Sequence, residues 1–190
     1  MEAITFNDFG PATNLQPSTI PDPVIQADQV LVKVKAIGVN PVEVAIRSGM
    51  AFTEPFEKLE HKVLGWDIAG VVTQAGSKVT NFREGDPVFG MVDFPEPTYG
   101  YAEYVAAPAD QLARIPDTLS YQEAAGATLA ALTAYQGLVH YGNVQQGHQV
   151  VILNASGGVG HYGVQIAKHS GATVIGTASS AKADFLQQLG

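Results

Sequence analysis

There is no cysteine in these 190 residues. That absence excludes disulfide bonds, thiolate nucleophiles and cysteine-ligated zinc, and it fits a cytoplasmic location. Basic residues are scarce as well: 10 Lys and Arg stand against 18 Asp and Glu, a net charge of −8. A surface of that sign repels phosphate-rich partners, so neither nucleic acid nor anionic membrane is an expected partner. No uninterrupted apolar run approaches the ~20 residues that cross a bilayer. The N-terminus also lacks the basic start and apolar stretch of a secretory signal. What is plentiful is hydrophobic residues, 46% of the chain, enough to bury a core in one large or two small domains.

Residues 1–115 read as an all-β domain. The segment 29–37 alternates Val30, Val32 and Val34 with Leu31, Lys33 and Lys35, the pattern of a half-buried strand. Shorter strands are expected at 3–6, 68–74, 87–91 and 101–106. Turn residues separate them: Gly10-Pro11, Pro21-Asp22-Pro23, Gly76-Ser77, Glu84-Gly85-Asp86-Pro87 and Tyr99-Gly100. Many short strands with Gly and Pro turns indicate a barrel or sandwich. One short helix interrupts them, starting at Pro41, well suited to a first helical turn, and ending near Ser48-Gly49.

The pattern changes after Ile115-Pro116-Asp117, and residues 116–190 read as α/β. Ser120 with Glu123 makes a capping box. A helix follows to about His140, with a break expected at Gly126. Strand 149–153, helix 158–170, strand 173–177 and helix 181–189 come next, and strands alternating with helices mean a parallel sheet. The most informative run is Val150-Val151-Ile152-Leu153-Asn154-Ala155-Ser156-Gly157-Gly158-Val159-Gly160. An apolar strand stops in small residues and a helix begins at once, the geometry that cradles a dinucleotide pyrophosphate. The G-x-G-x-x-G pattern is met with Ala155, Gly157 and Gly160. A doubly wound nucleotide fold has more parallel strands than the two visible before Gly190, so the chain reads as a portion of a longer enzyme.

Several segments match a known family in order: Gly38-Val39-Asn40-Pro41-Val42-Glu43, Gly65-Trp66-Asp67-Ile68-Ala69-Gly70-Val71-Val72, Gly85-Asp86-Pro87-Val88-Phe89-Gly90, Tyr101-Ala102-Glu103-Tyr104, Leu132-Thr133-Ala134-Tyr135 and 155–160. The sequence resembles the zinc-independent medium-chain dehydrogenases/reductases, on their quinone oxidoreductase (zeta-crystallin-like) branch. The resemblance implies a GroES-like β-barrel followed by a partial Rossmann domain, a small-molecule substrate, and a homo-oligomer. Zinc-dependent relatives carry their catalytic ligands at positions that match Asn40, Trp66 and Leu129 here. None of these is an ordinary zinc ligand, so no metal is expected.

NAD enzymes place an acid about 20 residues beyond the first glycine of the turn, on the ribose hydroxyls. Here that neighbourhood is Thr177-Ala178-Ser179-Ser180-Ala181-Lys182, with no acid before Asp184. Ser179, Ser180 and Lys182 suit a 2′-phosphate, so NADPH is the expected cofactor; otherwise Ser180 is an N-cap and Lys182 a solvated side chain. The cofactor-binding set is then Asn40, Thr133, Ala155, Ser156, Gly157, Gly158, Val159, Gly160, Ser179, Ser180 and Lys182, with Asn40 also the expected catalytic residue. Asn40 and Thr133 enter through the resemblance. Taken alone, Asn40-Pro41 is a common turn pair, and a helical Thr133 can bond to the preceding turn. A tyrosine found in several quinone reductases is replaced here by Ala45. Two readings follow: a zinc-free NADPH-dependent reductase of quinones or α,β-unsaturated carbonyls, or a non-catalytic NADPH-binding or structural relative.

Overall fold

The structure is a computed structural model that describes residues 1–189. Gly190, the end of the second domain read from the sequence, lies outside them. By compactness the chain divides after Thr128.

The first unit is built on antiparallel sheets. One holds β1 (Glu2–Phe6) between β2 (Gln16–Thr19) and β4 (Lys62–Val63). The larger is formed by β3 (Gln29–Ile37), β5 (Asp67–Ala75), β6 (Pro87–Met91), β7 (Tyr104–Pro108) and β8 (Ala113–Arg114), in the order β7-β3-β5-β6-β8. A bridge between Ala3 and Ala102 links the 100–103 segment to β1. The expected alternation explains the packing of β3. Val30 and Val32 are fully buried, and β7 sets Ala107 and Val105 opposite them. With Ile68, Val72, Val88 and Leu112 they form one core. Register shifts between β3 and β5 bend the pair, as bulges do, and help the sheet to curl.

A second core joins Phe6, Phe56, Leu64 and Trp66 to Ile46 of α1 (Pro41–Arg47). The 101–106 strand expected from the sequence begins only at Tyr104, because residues 101–103 pair with β1 instead. β2, β4 and β8 have no counterpart among the expected strands. They are short, and the polar sequence Gln-Pro-Ser-Thr of β2 carries no alternation; long-range pairing makes them strands.

Helix α2 (Tyr121–Tyr135) starts where the capping box places it: the Ser120 N–H donates to Glu123 Oε2 at 2.9 Å, and the Glu123 N–H to Ser120 Oγ at 3.2 Å. Gly126 does not break it. Its neighbours include Ala124, Ala125 and Ala127, strong helix formers, and one glycine costs only about 1 kcal/mol in a helix interior. The helix continues as a π-helical segment over Gln136–Tyr141.

The second unit pairs β9 (Gln149–Ile152) and β10 (Thr173–Gly176) in parallel, with Val151 beside Ile175. Helix α3 (Gly158–His169) covers one face of the pair. Its Val164 and Ala167 are buried, and its Gly163 lies against Ile152. A 3₁₀ turn (Ser180–Lys182) and helix α4 (Ala183–Gln188) follow β10. Among the described residues, no helix is long and apolar enough to cross a membrane.

Candidate functional site

In the first unit, Asn40 ends the β3–α1 connection as the N-cap of α1. It is half-buried and sits between two carboxylates. Its backbone N–H donates to Glu43 Oε2 at 2.7 Å. Its side-chain Nδ2 donates to Asp67 Oδ2 at 3.0 Å and, more weakly, to Glu43 Oε1 at 3.4 Å. Glu43 and Asp67 are 2% and 1% exposed. Glu43, the acid in the first turn of α1, is thus the buried floor under Asn40. Burial pushes its carboxyl above the ordinary value. Hydrogen bonds from its own and Asn40's backbone and from the Asn40 side chain oppose that rise, and the charge of Asp67 adds to it.

Gly38 makes this cluster possible. A Cβ there would lie 2.7 Å from both Cβ and Oδ2 of Asp67, and 2.9 Å from the carbonyl oxygen of Ala125. Tyr101 backs the cluster, its ring packed against Gly65. Burial first, and then the charges of Glu43 and Asp67, raise its phenol far above the usual value, so it stays neutral. Trp66 is fully buried and donates its indole N–H to the Glu96 carbonyl at 2.7 Å. Phe56 and Phe94 contact it edge-on, with ring centroids 6.2 and 5.2 Å away. The position that matches a metal ligand in zinc-using relatives thus holds a donor committed elsewhere. No group of three or more His, Asp or Glu among the described residues is arranged to hold a metal ion. Ala45 is half-buried on α1.

In the second unit, the residues at 154–160 form the expected turn. Asn154 adopts a φ of +50°, a conformation asparagine tolerates better than most residues. Its carbonyl accepts the Gly157 N–H at 2.9 Å. Ala155 is fully buried and lies against Gly176 of β10. A Cβ on Gly160 would fall 2.3 Å from the Asn154 carbonyl oxygen, so only glycine lets the helix start so close to the strand end. Gly158 has nothing within 4 Å of where a Cβ would be, and Val159 is exposed. The N-cap Gly157 supplies no side-chain cap, and the first turn of α3 holds no acid. Such a helix start presents N–H groups and a positive dipole end to an anion. The Ser156 side chain is half-buried in the same turn.

The end of β10 is tied to this turn. The Asn154 N–H donates to Thr177 Oγ1 at 3.1 Å, and the Ala155 N–H to the Thr177 carbonyl at 2.8 Å. Ser179, Ser180 and Lys182 follow directly and are all exposed. Helix α4 begins at Ala183, so Ser180 starts the 3₁₀ turn and is not the N-cap of that helix. Thr133 lies on α2, exposed, and its hydroxyl donates to the Leu129 carbonyl at 2.7 Å. The structure thus gathers 155–160 with 179–182 in one unit, and places Asn40 in the other. The sequence reading assigned no role to Asp67. The signal was an acid opening the otherwise apolar run Ile68-Ala69-Gly70-Val71-Val72.

These features define a class: a GroES-like β unit followed by part of a Rossmann-type α/β unit. Residues 26–117 match the alcohol dehydrogenase GroES-like domain. The chain is 39% identical over 181 residues to a quinone oxidoreductase of Mus musculus, covering 95% of this chain and 53% of that protein. It is 37% identical over 200 residues to an NADPH-dependent alkenal/one oxidoreductase of Arabidopsis thaliana, covering 100% of this chain and 50% of that one. The solved quinone oxidoreductase of Coxiella burnetii superposes with a TM-score of 0.92 at 40% identity, covering 100% of this chain and 60% of that one. The chain is a homologue of quinone oxidoreductases and enone reductases of the medium-chain dehydrogenase/reductase family. It spans about half the length of the curated relatives it matches.

Proposed function

We propose that this chain forms part of an NADPH-dependent, zinc-free reductase of quinones or α,β-unsaturated carbonyl compounds. The observation that carries the reading is the 154–160 turn, an uncapped and acid-free helix start held against the strand by a glycine that admits no side chain. The names of the similar proteins, quinone oxidoreductase and NADPH-dependent alkenal/one oxidoreductase, support the substrate class. When bound, the nicotinamide supplies a hydride to the substrate, and the oxygen that becomes anionic takes its proton from water.

In this reading the protein binds and orients. The backbone of Ala155, Ser156, Gly157, Gly158, Val159 and Gly160 holds the pyrophosphate. Ser179, Ser180 and Lys182 receive the 2′-phosphate, for which an acid-free strand end is the requirement. Thr133 lies beside the nicotinamide, and Asn40 meets the nicotinamide ribose or the substrate oxygen. The setting is the cytoplasm, the substrate a small molecule and the assembly a homo-oligomer.

The test is a fluorescence titration of the 190-residue chain with NADPH beside NADH, followed by NADPH oxidation across a panel of quinones and enones. Saturable binding at least tenfold tighter for NADPH, lost in Lys182→Glu, is the expected result. Equal affinity for both cofactors overturns the 2′-phosphate site. Binding without turnover of any substrate favours a non-catalytic relative.

A further inference from the structure

The cluster around Asn40 constrains which hydrogen-bonding group that residue can offer. An asparagine side chain has an oxygen that only accepts and a nitrogen that only donates. Here the nitrogen is 3.0 Å from Asp67 Oδ2 and 3.4 Å from Glu43 Oε1, and both carboxylates are buried. Rotating the amide by half a turn would press its oxygen against two acceptor oxygens in a poorly solvated site, where such contacts are most costly. The backbone of Asn40 is held as well, through its N–H on Glu43 Oε2 at 2.7 Å. Gly38, without a Cβ, lets Asp67 approach from the other side.

The geometry points to Glu43 and Asp67 as positioning residues that turn both Asn40 amide donors inward, so that Asn40 meets its ligand only through the acceptor oxygen Oδ1, by the lone pair that the capping-box contact with the Glu43 N–H leaves over. The group it recognises is then a hydroxyl, such as a ribose hydroxyl, and not a carbonyl or developing oxyanion. This rests on the reductase reading for the identity of the ligand, and on the first unit alone for the orientation. It separates the two roles left to Asn40 above: the residue orients a hydroxyl-bearing ligand, and the donor to the substrate oxygen is another group or water.

The orientation can be read without any ligand, by measuring solvent exchange of the Asn40 side-chain NH2 by NMR in the asparagine-labelled 190-residue chain. The exposed Asn7 serves as an internal reference. The expected exchange is at least tenfold slower at Asn40 than at Asn7. Asp67→Ala should remove most of that protection, and Asp67→Asn, whose carbonyl can still accept, should keep it. Exchange at Asn40 as fast as at Asn7 in the unmodified chain overturns the inference, whether or not Asp67→Ala folds. NADPH is then added as the probe. A downfield shift of the Asn40 side-chain carbonyl carbon, with its NH2 still protected, is the expected acceptor signature. Loss of NH2 protection on binding overturns it. Should NADPH not bind at all, the cofactor reading fails while the exchange data still decide the orientation.

Discussion

At the scale of single residues, the site depends on one missing methyl group. Gly38→Ala would put a carbon 2.7 Å from the Asp67 carboxylate and 2.9 Å from the Ala125 carbonyl, closer than a Cβ is normally accommodated. Overpacking of this kind costs about 1–3 kcal/mol, so the urea midpoint of G38A should fall well below that of the unmodified chain. An unchanged midpoint would show that Asp67 has more freedom than the structure gives it. Glu43 makes a pH-dependent prediction. Burial holds its folded-state carboxyl above the ordinary carboxylate value, so the folded chain takes up that proton more readily than the unfolded one. Stability from this group is therefore fully present below the unfolded pKa and is lost as pH rises through the folded one. The amide introduced by Glu43→Gln does not titrate and serves as the control. Urea unfolding at pH 8 and again near pH 5 should show the stability difference moving in favour of the unmodified chain as pH falls, relative to Glu43→Gln. A constant difference would contradict the raised carboxyl. Asp86 works in the opposite sense. The Arg114 guanidinium, then the Arg83 backbone N–H, hold its carboxyl low, so its contribution is lost only in more acidic solution.

At the scale of elements, α2 shows how a local signal can mislead. Gly126 looks like a stop in the sequence, yet the helix runs through it, and a side chain there would meet nothing within 4 Å. Gly126→Ala should therefore stabilise the chain by about 0.5–1 kcal/mol through helix propensity alone. Thermal melting should show a rise of a few degrees, and a fall would mean that the glycine has a contact partner in solution. The turn before α3 is the opposite case. Gly160 sits in the first turn of its helix against the strand end, and its missing Cβ lies on a backbone carbonyl. The two glycines read alike as letters and differ only in what surrounds them.

At the scale of the whole molecule, the β9–β10 pair has one face covered by α3 and one face bare. Val151 and Ile175 are register neighbours on the bare face and are 60% and 52% exposed, with Leu153 at 75% in line with them. Apolar surface of that kind on a short parallel sheet seeks cover. The 190-residue chain should self-associate in light scattering at micromolar concentration, and Val151→Lys with Ile175→Lys should shift it towards the monomer. A strictly monomeric unmodified chain would contradict this. Much of the architecture was legible beforehand because it follows local rules. Alternation announced β3, Ser120 with Glu123 announced the start of α2, and small residues after Val150-Val151-Ile152 announced the tight turn before α3. Those patterns record which side chains must be buried or which backbone groups must be capped within a few residues of one another. The sequence by itself thus determined the β-then-α/β order, the glycine turn, the acid-free strand end at 177–182 and the lack of any thiol. Only the tertiary structure decided that β2, β4 and β8 are strands, and that Glu43 and Asp67, 24 positions apart in the chain, close on Asn40 from two sides. Pairing and burial between distant segments depend on which backbones pack together, and no local pattern encodes the distance between two carboxylates.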